Sequence, residues 1–93
     1  MRRAAKTDDN QQEIVSALRK AGCSVAVTSN VHDGFPDIAV GRAGKTYLLE
    51  IKDSKKPPSA RKLTEDQERF HANWRGHVAV VNTVEQALKE VGL

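Results

Sequence analysis

The chain has 93 residues, 39% of them hydrophobic and 29% charged, which is ordinary for one soluble globular domain. Its formal charge of +3 leans weakly toward a polyanionic partner, and its single cysteine excludes an internal disulfide and suits a reducing, cytoplasmic setting. No apolar run nears the ~18 residues of a membrane span, no signal peptide is visible, and no zinc cluster, P-loop or dinucleotide fingerprint occurs.

Residues 1–8 read as a flexible basic arm carrying Arg2, Arg3 and Lys6. From Asp9 to Ala21 the spacing of Ile14, Val15, Leu18 and Ala21 predicts an amphipathic helix, with Gly22 placed to end it. The β-branched run 23–28 predicts a strand with Cys23 as a small buried hydrophobe, and 29–35 a polar loop in which Gly34 takes an unusual backbone angle. Residues 37–41 and 46–52 read as a hairpin across a four-residue loop, Arg42 to Lys45. A basic, proline-bearing loop follows over 53–62. Thr64 and Gln67 have the spacing of a capping box that opens a helix with Phe70 and Trp74 as inward anchors and Gly76 as its end. Residues 78–82 predict a buried strand, and Thr83 with Gln86 a second capping box opening a helix through Val91, with Ala87 and Leu88 inward. The order αβββαβα predicts a three-layer α/β fold, a mixed central sheet flanked by helices, with the last strand parallel to a neighbour. The whole chain, 1–93, reads as a single domain.

The hairpin carries the chemistry. Strand alternation puts Leu48, Glu50 and Lys52 on one face and Tyr47, Leu49 and Ile51 on the other. Pairing Gly41 with Thr46 sets Asp37 opposite Glu50, where like charges repel unless a divalent cation joins them. Pro-Asp is also a common entry to a strand, and surface strands carry Glu and Lys without further purpose. Each dipeptide alone therefore decides little; the matched faces and hairpin length strengthen the case for a metal site but leave it and an ordinary surface strand evenly open.

Pro36-Asp37 entering the second strand and Glu50-Ile51-Lys52 on the third resemble the PD-(D/E)XK nuclease superfamily and its restriction-endonuclease-like core. The segments 34-GFPDIAVG-41, 48-LLEIKD-53 and 63-LTEDQERF-70 resemble the virus-type replication-repair nuclease (VRR-NUC) branch. Residues 11–22 are similar to the first helix of archaeal Holliday-junction resolvases. The resemblance implies an Mg²⁺- or Mn²⁺-dependent endodeoxyribonuclease that leaves a 5′-phosphate and a 3′-hydroxyl. Asp37, Glu50 and the backbone carbonyl of Ile51 would hold the metal, Lys52 would serve the attacking water and the phosphate, and Gln67 would complete the catalytic set. It further implies a homodimer selective for branched or junction DNA, and fits a viral or mobile-element source.

Two residues stay open at this point. Gln67 fits both an active-site glutamine and a purely local capping box. Gln11 stands where resolvases carry a metal-ligating glutamate, so either metal binding is weaker or Glu13 or Asp9 substitutes. Lys55, Lys56, Arg61 and Lys62, with His32 from the loop before Pro36, are the candidate DNA contacts. His71 and His77 read as structural. The alternative to an active nuclease is a catalytically weak or inactive DNA-binding module of the same fold.

Overall fold

The computed structural model describes residues 9–93; the basic arm expected over 1–8 lies outside the described residues, as does the side chain of Asp9. In chain order the elements are α1 (Asp9–Lys20), β1 (Ser24–Val27), β2 (Ile38–Arg42), β3 (Lys45–Ile51), α2 (Pro58–Arg61), α3 (Glu65–Asn73), β4 (His77–Val81) and α4 (Val84–Glu90). This is the expected order with one addition, the single turn α2, started by Pro58 at a position where its missing N–H costs nothing.

α1 buries Ile14 and Leu18 completely and Val15 nearly so. It ends where Gly22 turns left-handed at φ 97°. The N–H of Gly22 then reaches the Arg19 carbonyl and that of Cys23 the Leu18 carbonyl, both at 3.0 Å. The same paired bonds close α4, from Gly92 to Lys89 and from Leu93 to Leu88.

The sheet order is β1-β2-β3-β4. β1, β2 and β3 are mutually antiparallel, and β4 runs parallel to β3, pairing Leu49 with Ala79 and Ile51 with Val81. The expected register holds, Gly41 opposite Thr46. The connection between β2 and β3 is shorter than expected, because Arg42 still pairs with Lys45. Only Ala43 (φ 54°) and Gly44 (φ 78°) turn the chain, both left-handed, as a two-residue type I′ hairpin requires to match strand twist.

One sheet face forms the core. Ile38, Val40, Leu49, Ile51 and Val81 pack there against Ile14 and Leu18 of α1 and Ala87 and Val91 of α4. The opposite face carries Leu48, Glu50 and Lys52, and α3 lies over it with no buried residue of its own. Phe70 and Trp74 are therefore not core anchors. They stack on each other at 4.9 Å, Phe35 meets Phe70 edge-on at 5.2 Å, and Trp74 stays 43% exposed. The ring pair packs on Phe35 of the loop before β2, while Gln67 of the same helix takes up the Glu50 carboxylate and the Lys52 ammonium of the sheet.

Only one of the two capping boxes is complete. Thr64 accepts from the Gln67 N–H while the Gln67 side chain accepts from the Thr64 N–H. Thr83 accepts from the Gln86 N–H, but the Gln86 side chain reaches one residue further back, to the Asn82 N–H at 2.6 Å. At the outer edge of β1, the Arg19 guanidinium donates to the Val25 carbonyl at 2.9 Å and so guards part of an open strand edge.

Candidate active site

The hairpin ladder stops one residue short of Asp37, and that shortfall builds the site. Ile38 pairs with Leu49, but the Asp37 N–H donates to the Leu49 carbonyl at 3.0 Å, while its own C=O accepts from Thr28 of the neighbouring segment at 2.8 Å. The backbone thus bends at Asp37, and its side chain takes over as acceptor: Oδ2 receives the Ile51 N–H at 2.8 Å. A strand residue's N–H and C=O point the same way. The carbonyl of Ile51 is accordingly turned toward the Asp37 side, past the end of the β2 ladder.

On the other face of β3, Glu50 is 2% exposed, and carboxylates are almost never buried so deeply without specific partners. Gln67 is one such partner. Its Nε2 donates to Glu50 Oε2 at 3.1 Å, and its Oε1 accepts from Lys52 Nζ at 3.2 Å and from the Thr64 N–H at 2.9 Å. The orientation of the amide follows from its neighbours: an ammonium and an N–H only donate, an ionised carboxylate only accepts. Gln67 is therefore both a capping residue and a bridge between Glu50 and Lys52, so the two sequence readings are not exclusive.

Gly34 brings these parts together. Asp33 and Gly34 are both left-handed, at φ 66° and 79°. A Cβ on Gly34 would sit 2.3 Å from the Asp66 carbonyl oxygen and 2.8 Å from the Gln67 nitrogen. The loop entering Asp37 thus lies directly against the first turn of α3, closer than any other residue type allows.

The remaining predicted residues divide. Gln11 is buried and donates from Nε2 to Ser29 Oγ at 3.2 Å. Ser29 Oγ in turn lies 3.5 Å from the Asp37 carbonyl. Glu13 is not brought to Asp37 and Glu50: it opens on a separate cleft with Asn10, Asp53, Lys55, Asn82 and Glu85. Among the described residues no three His, Cys, Asp or Glu side chains come together as a metal cluster. Lys55, Lys56 and Lys62 are exposed just after β3, as is His32 before it, and Arg61 is half-buried. The Lys55 N–H binds Asp53 Oδ1 at 2.9 Å, which shapes the start of that basic segment.

Sequence reasoning missed two things. His71 lies one turn after Gln67 on the same helix face; burial, and then the Lys52 ammonium, hold its imidazole below the usual pKa. The i, i+4 spacing from Gln67 was the available signal. Asn10 donates to the carbonyls of Lys52 and Asn82 at 3.2 and 2.9 Å, and nothing in the sequence announces that.

The donor set fits a hard divalent cation. Asp37, Glu50 and the carbonyl of Ile51 are all oxygen donors at the ends of adjacent strands, as Mg²⁺ and Mn²⁺ prefer.

No family model matches this sequence, and no curated protein does. Among solved structures, a VRR_NUC domain is similar with a TM-score of 0.65 and 25% sequence identity, over 87% of this chain and 88% of that one. The mixed four-stranded sheet with flanking helices is the restriction-endonuclease-like arrangement of that domain. In fold as in motif, the chain is similar to the VRR-NUC domains of the PD-(D/E)XK nuclease superfamily.

Proposed function

We propose that this nuclease domain, taken as the single unit 1–93, is a metal-dependent DNA endonuclease that hydrolyses phosphodiester bonds in branched or junction DNA as a homodimer. The observation that carries the reading is the connected set at the strand ends. Gln67 ties Glu50 to Lys52, and Asp37 sits on the Ile51 amide of the same strand. A structural core has no use for a buried carboxylate, an ammonium and an amide arranged in this way.

Asp37, Glu50 and the Ile51 carbonyl would hold Mg²⁺ or Mn²⁺, which when bound supplies Lewis-acid polarisation of the phosphodiester. Lys52 orients the attacking water and offsets negative charge growing on the phosphate oxygens. Gln67 keeps Lys52 from swinging away and fixes the direction of the Glu50 carboxylate. Water oxygen bonds to phosphorus, the bond to the 3′ oxygen breaks, and that oxygen leaves with a proton as the 3′-hydroxyl.

Lys55, Lys56, Arg61 and Lys62 follow the catalytic strand on an exposed segment, with His32 on the loop before it; they supply sequence-independent affinity for the phosphate backbone. With no base-reading element among the described residues, selectivity rests on DNA shape and on the geometry of paired sites.

Cleavage of labelled four-way junction, flap, duplex and single-stranded DNA, with Mg²⁺, Mn²⁺ or EDTA, tests this reading. Metal-dependent cutting that Lys52→Ala abolishes supports it, with junctions and flaps cut fastest. Tight junction binding without cutting under either metal would leave a DNA-binding module instead.

A further inference from the structure

α1 approaches the sheet from the core side, opposite to α3, yet its first turn touches both halves of the site. Consecutive helix residues diverge by about 100°, so Asn10 and Gln11 reach in different directions. Asn10 reaches the ends of β3 and β4, where the ladder stops at Ile51 and Val81 and the next carbonyls splay apart. Its NH₂ has two hydrogens and spends one on the Lys52 carbonyl at 3.2 Å and one on the Asn82 carbonyl at 2.9 Å. The Lys52 N–H is held separately by the Val81 carbonyl at 3.0 Å. Lys52 is thereby gripped on both sides of its Cα, and only its side chain is left to move.

Gln11 reaches the other way. It is 6% exposed, and its Nε2 donates to Ser29 Oγ at 3.2 Å. A hydroxyl that accepts one bond still has a proton to give, and the Asp37 carbonyl lies 3.5 Å away, at the long limit of a hydrogen bond. Thr28 braces the same corner, through its hydroxyl on the Pro36 carbonyl at 2.7 Å and its N–H on the Asp37 carbonyl at 2.8 Å. Gln11 thus supports the bend that aims the Asp37 carboxylate at Ile51. Here the amide braces a ligand instead of acting as one.

We infer that the first turn of α1 is a positioning device for the site, in which Asn10 sets Lys52 and Gln11, through Ser29, sets Asp37. The inference rests on the nuclease reading for its meaning but not for its measurement. It requires a crossed pattern that general loosening of the fold does not produce.

The variants are Asn10→Asp, which keeps shape and suits a helix start but removes the donor, and Gln11→Met, which keeps volume. Should Asn10→Asp fail to fold, Asn10→Ala, which brings no charge, takes its place. In the metal-free protein, amide exchange by NMR reads the two corners separately. Gln11→Met speeds exchange at Ile51, whose N–H rests on Asp37, by about tenfold and spares Lys52; Asn10→Asp does the reverse. With metal, Gln11→Met weakens Mn²⁺ affinity by roughly 10-fold or more, as losses behind a ligand do. Asn10→Asp leaves that affinity near wild type and lowers kcat roughly 10–100-fold through misplacement of Lys52.

Variants that fold and move both amides equally, or neither, overturn the inference. Wild-type protein that neither binds Mn²⁺ nor cuts DNA, while the exchange pattern crosses, overturns the nuclease reading and leaves the positioning role standing.

Discussion

Adding one methyl group at Gly34 tests how the two halves of the site are joined. A Cβ there meets the Asp66 carbonyl oxygen at 2.3 Å, whereas ordinary contact begins at 3.4 Å, so the first turn of α3 must retreat by about 1 Å. Gln67 rides on that turn, and a 1 Å misplacement near reacting groups can cost roughly 100-fold in rate. The substitution also carries a backbone cost, since alanine pays about 1–2 kcal/mol in the left-handed region. Gly44 supplies the control: its φ of 78° nearly equals the 79° of Gly34, but a Cβ there has nothing within 4 Å. Gly44→Ala should therefore lower Tm by the backbone share alone, about 4–8 °C per kcal/mol in a domain of this size. Gly34→Ala should lower it about twice as far, through a further ~1–3 kcal/mol of overpacking. Melting by circular dichroism and cleavage at a temperature where both variants are folded separate these effects. Cleavage falls about 100-fold for Gly34→Ala and stays near wild type for Gly44→Ala. Equal cleavage by both variants would refute the idea that the loop and α3 set each other's position.

Asp37→Asn keeps an oxygen to accept the Ile51 N–H, so its melting should stay within ~0.5 kcal/mol of wild type while Mn²⁺ binding by calorimetry weakens at least ~10-fold. A large loss of stability would show that the charge itself holds the bend. Thr64→Ala removes the cap and should cost about 0.5–2 kcal/mol in urea unfolding. It should also slow cleavage more than that loss alone explains, because the backbone that fixes Gln67 loosens; unchanged cleavage would separate the cap from the site. The Lys55→Ala, Lys62→Ala double variant should make the slope of log affinity against log salt shallower by about 2, read by fluorescence anisotropy on duplex DNA. An unchanged slope places the phosphate contacts elsewhere. The depressed pKa of His71 means that the unfolded chain takes up a proton near the ordinary 6.5 while the folded chain resists. Stability from this residue is intact above that pH and is lost as pH falls below it toward the lower folded value. His71→Gln should flatten the decline in urea stability as pH falls through and below the ordinary imidazole pKa, and parallel curves for the two proteins would contradict it.

The elements were legible because their signals are local: the stripe of Ile14 and Leu18, the alternation through Tyr47, Leu49 and Ile51, and the cap at Thr64. The register that sets Asp37 against β3 was legible for the same reason, since a one-residue slip would have turned Leu49 and Ile51 outward. What could not be read was anything decided by a backbone N–H or carbonyl without a ladder partner. The Gln86 side chain goes to Asn82 rather than completing a box, and the Asn10 side chain goes to Lys52 and Asn82 because the strands splay there. The placement of Phe70 and Trp74 was misread because a helix's apolar stripe does not say what covers it, and here the partner is Phe35 of the loop before β2 rather than the core. Glu13 has the charge of a ligand but not the address; helix phase turns it to another cleft.

The two duties of Gln67 have a consequence for descent. A lineage that lost catalysis would be under no pressure to discard this glutamine, because α3 would still begin with it. A lineage that replaced it would disturb helix and chemistry together, so intermediate forms should be scarce. The residue is thus a poor witness to activity in a diverged copy. Lys52 is the better one: its ammonium donates to Gln67 Oε1, but that oxygen still caps the Thr64 N–H without it, so drift would erase Lys52 first once cutting ceased to matter.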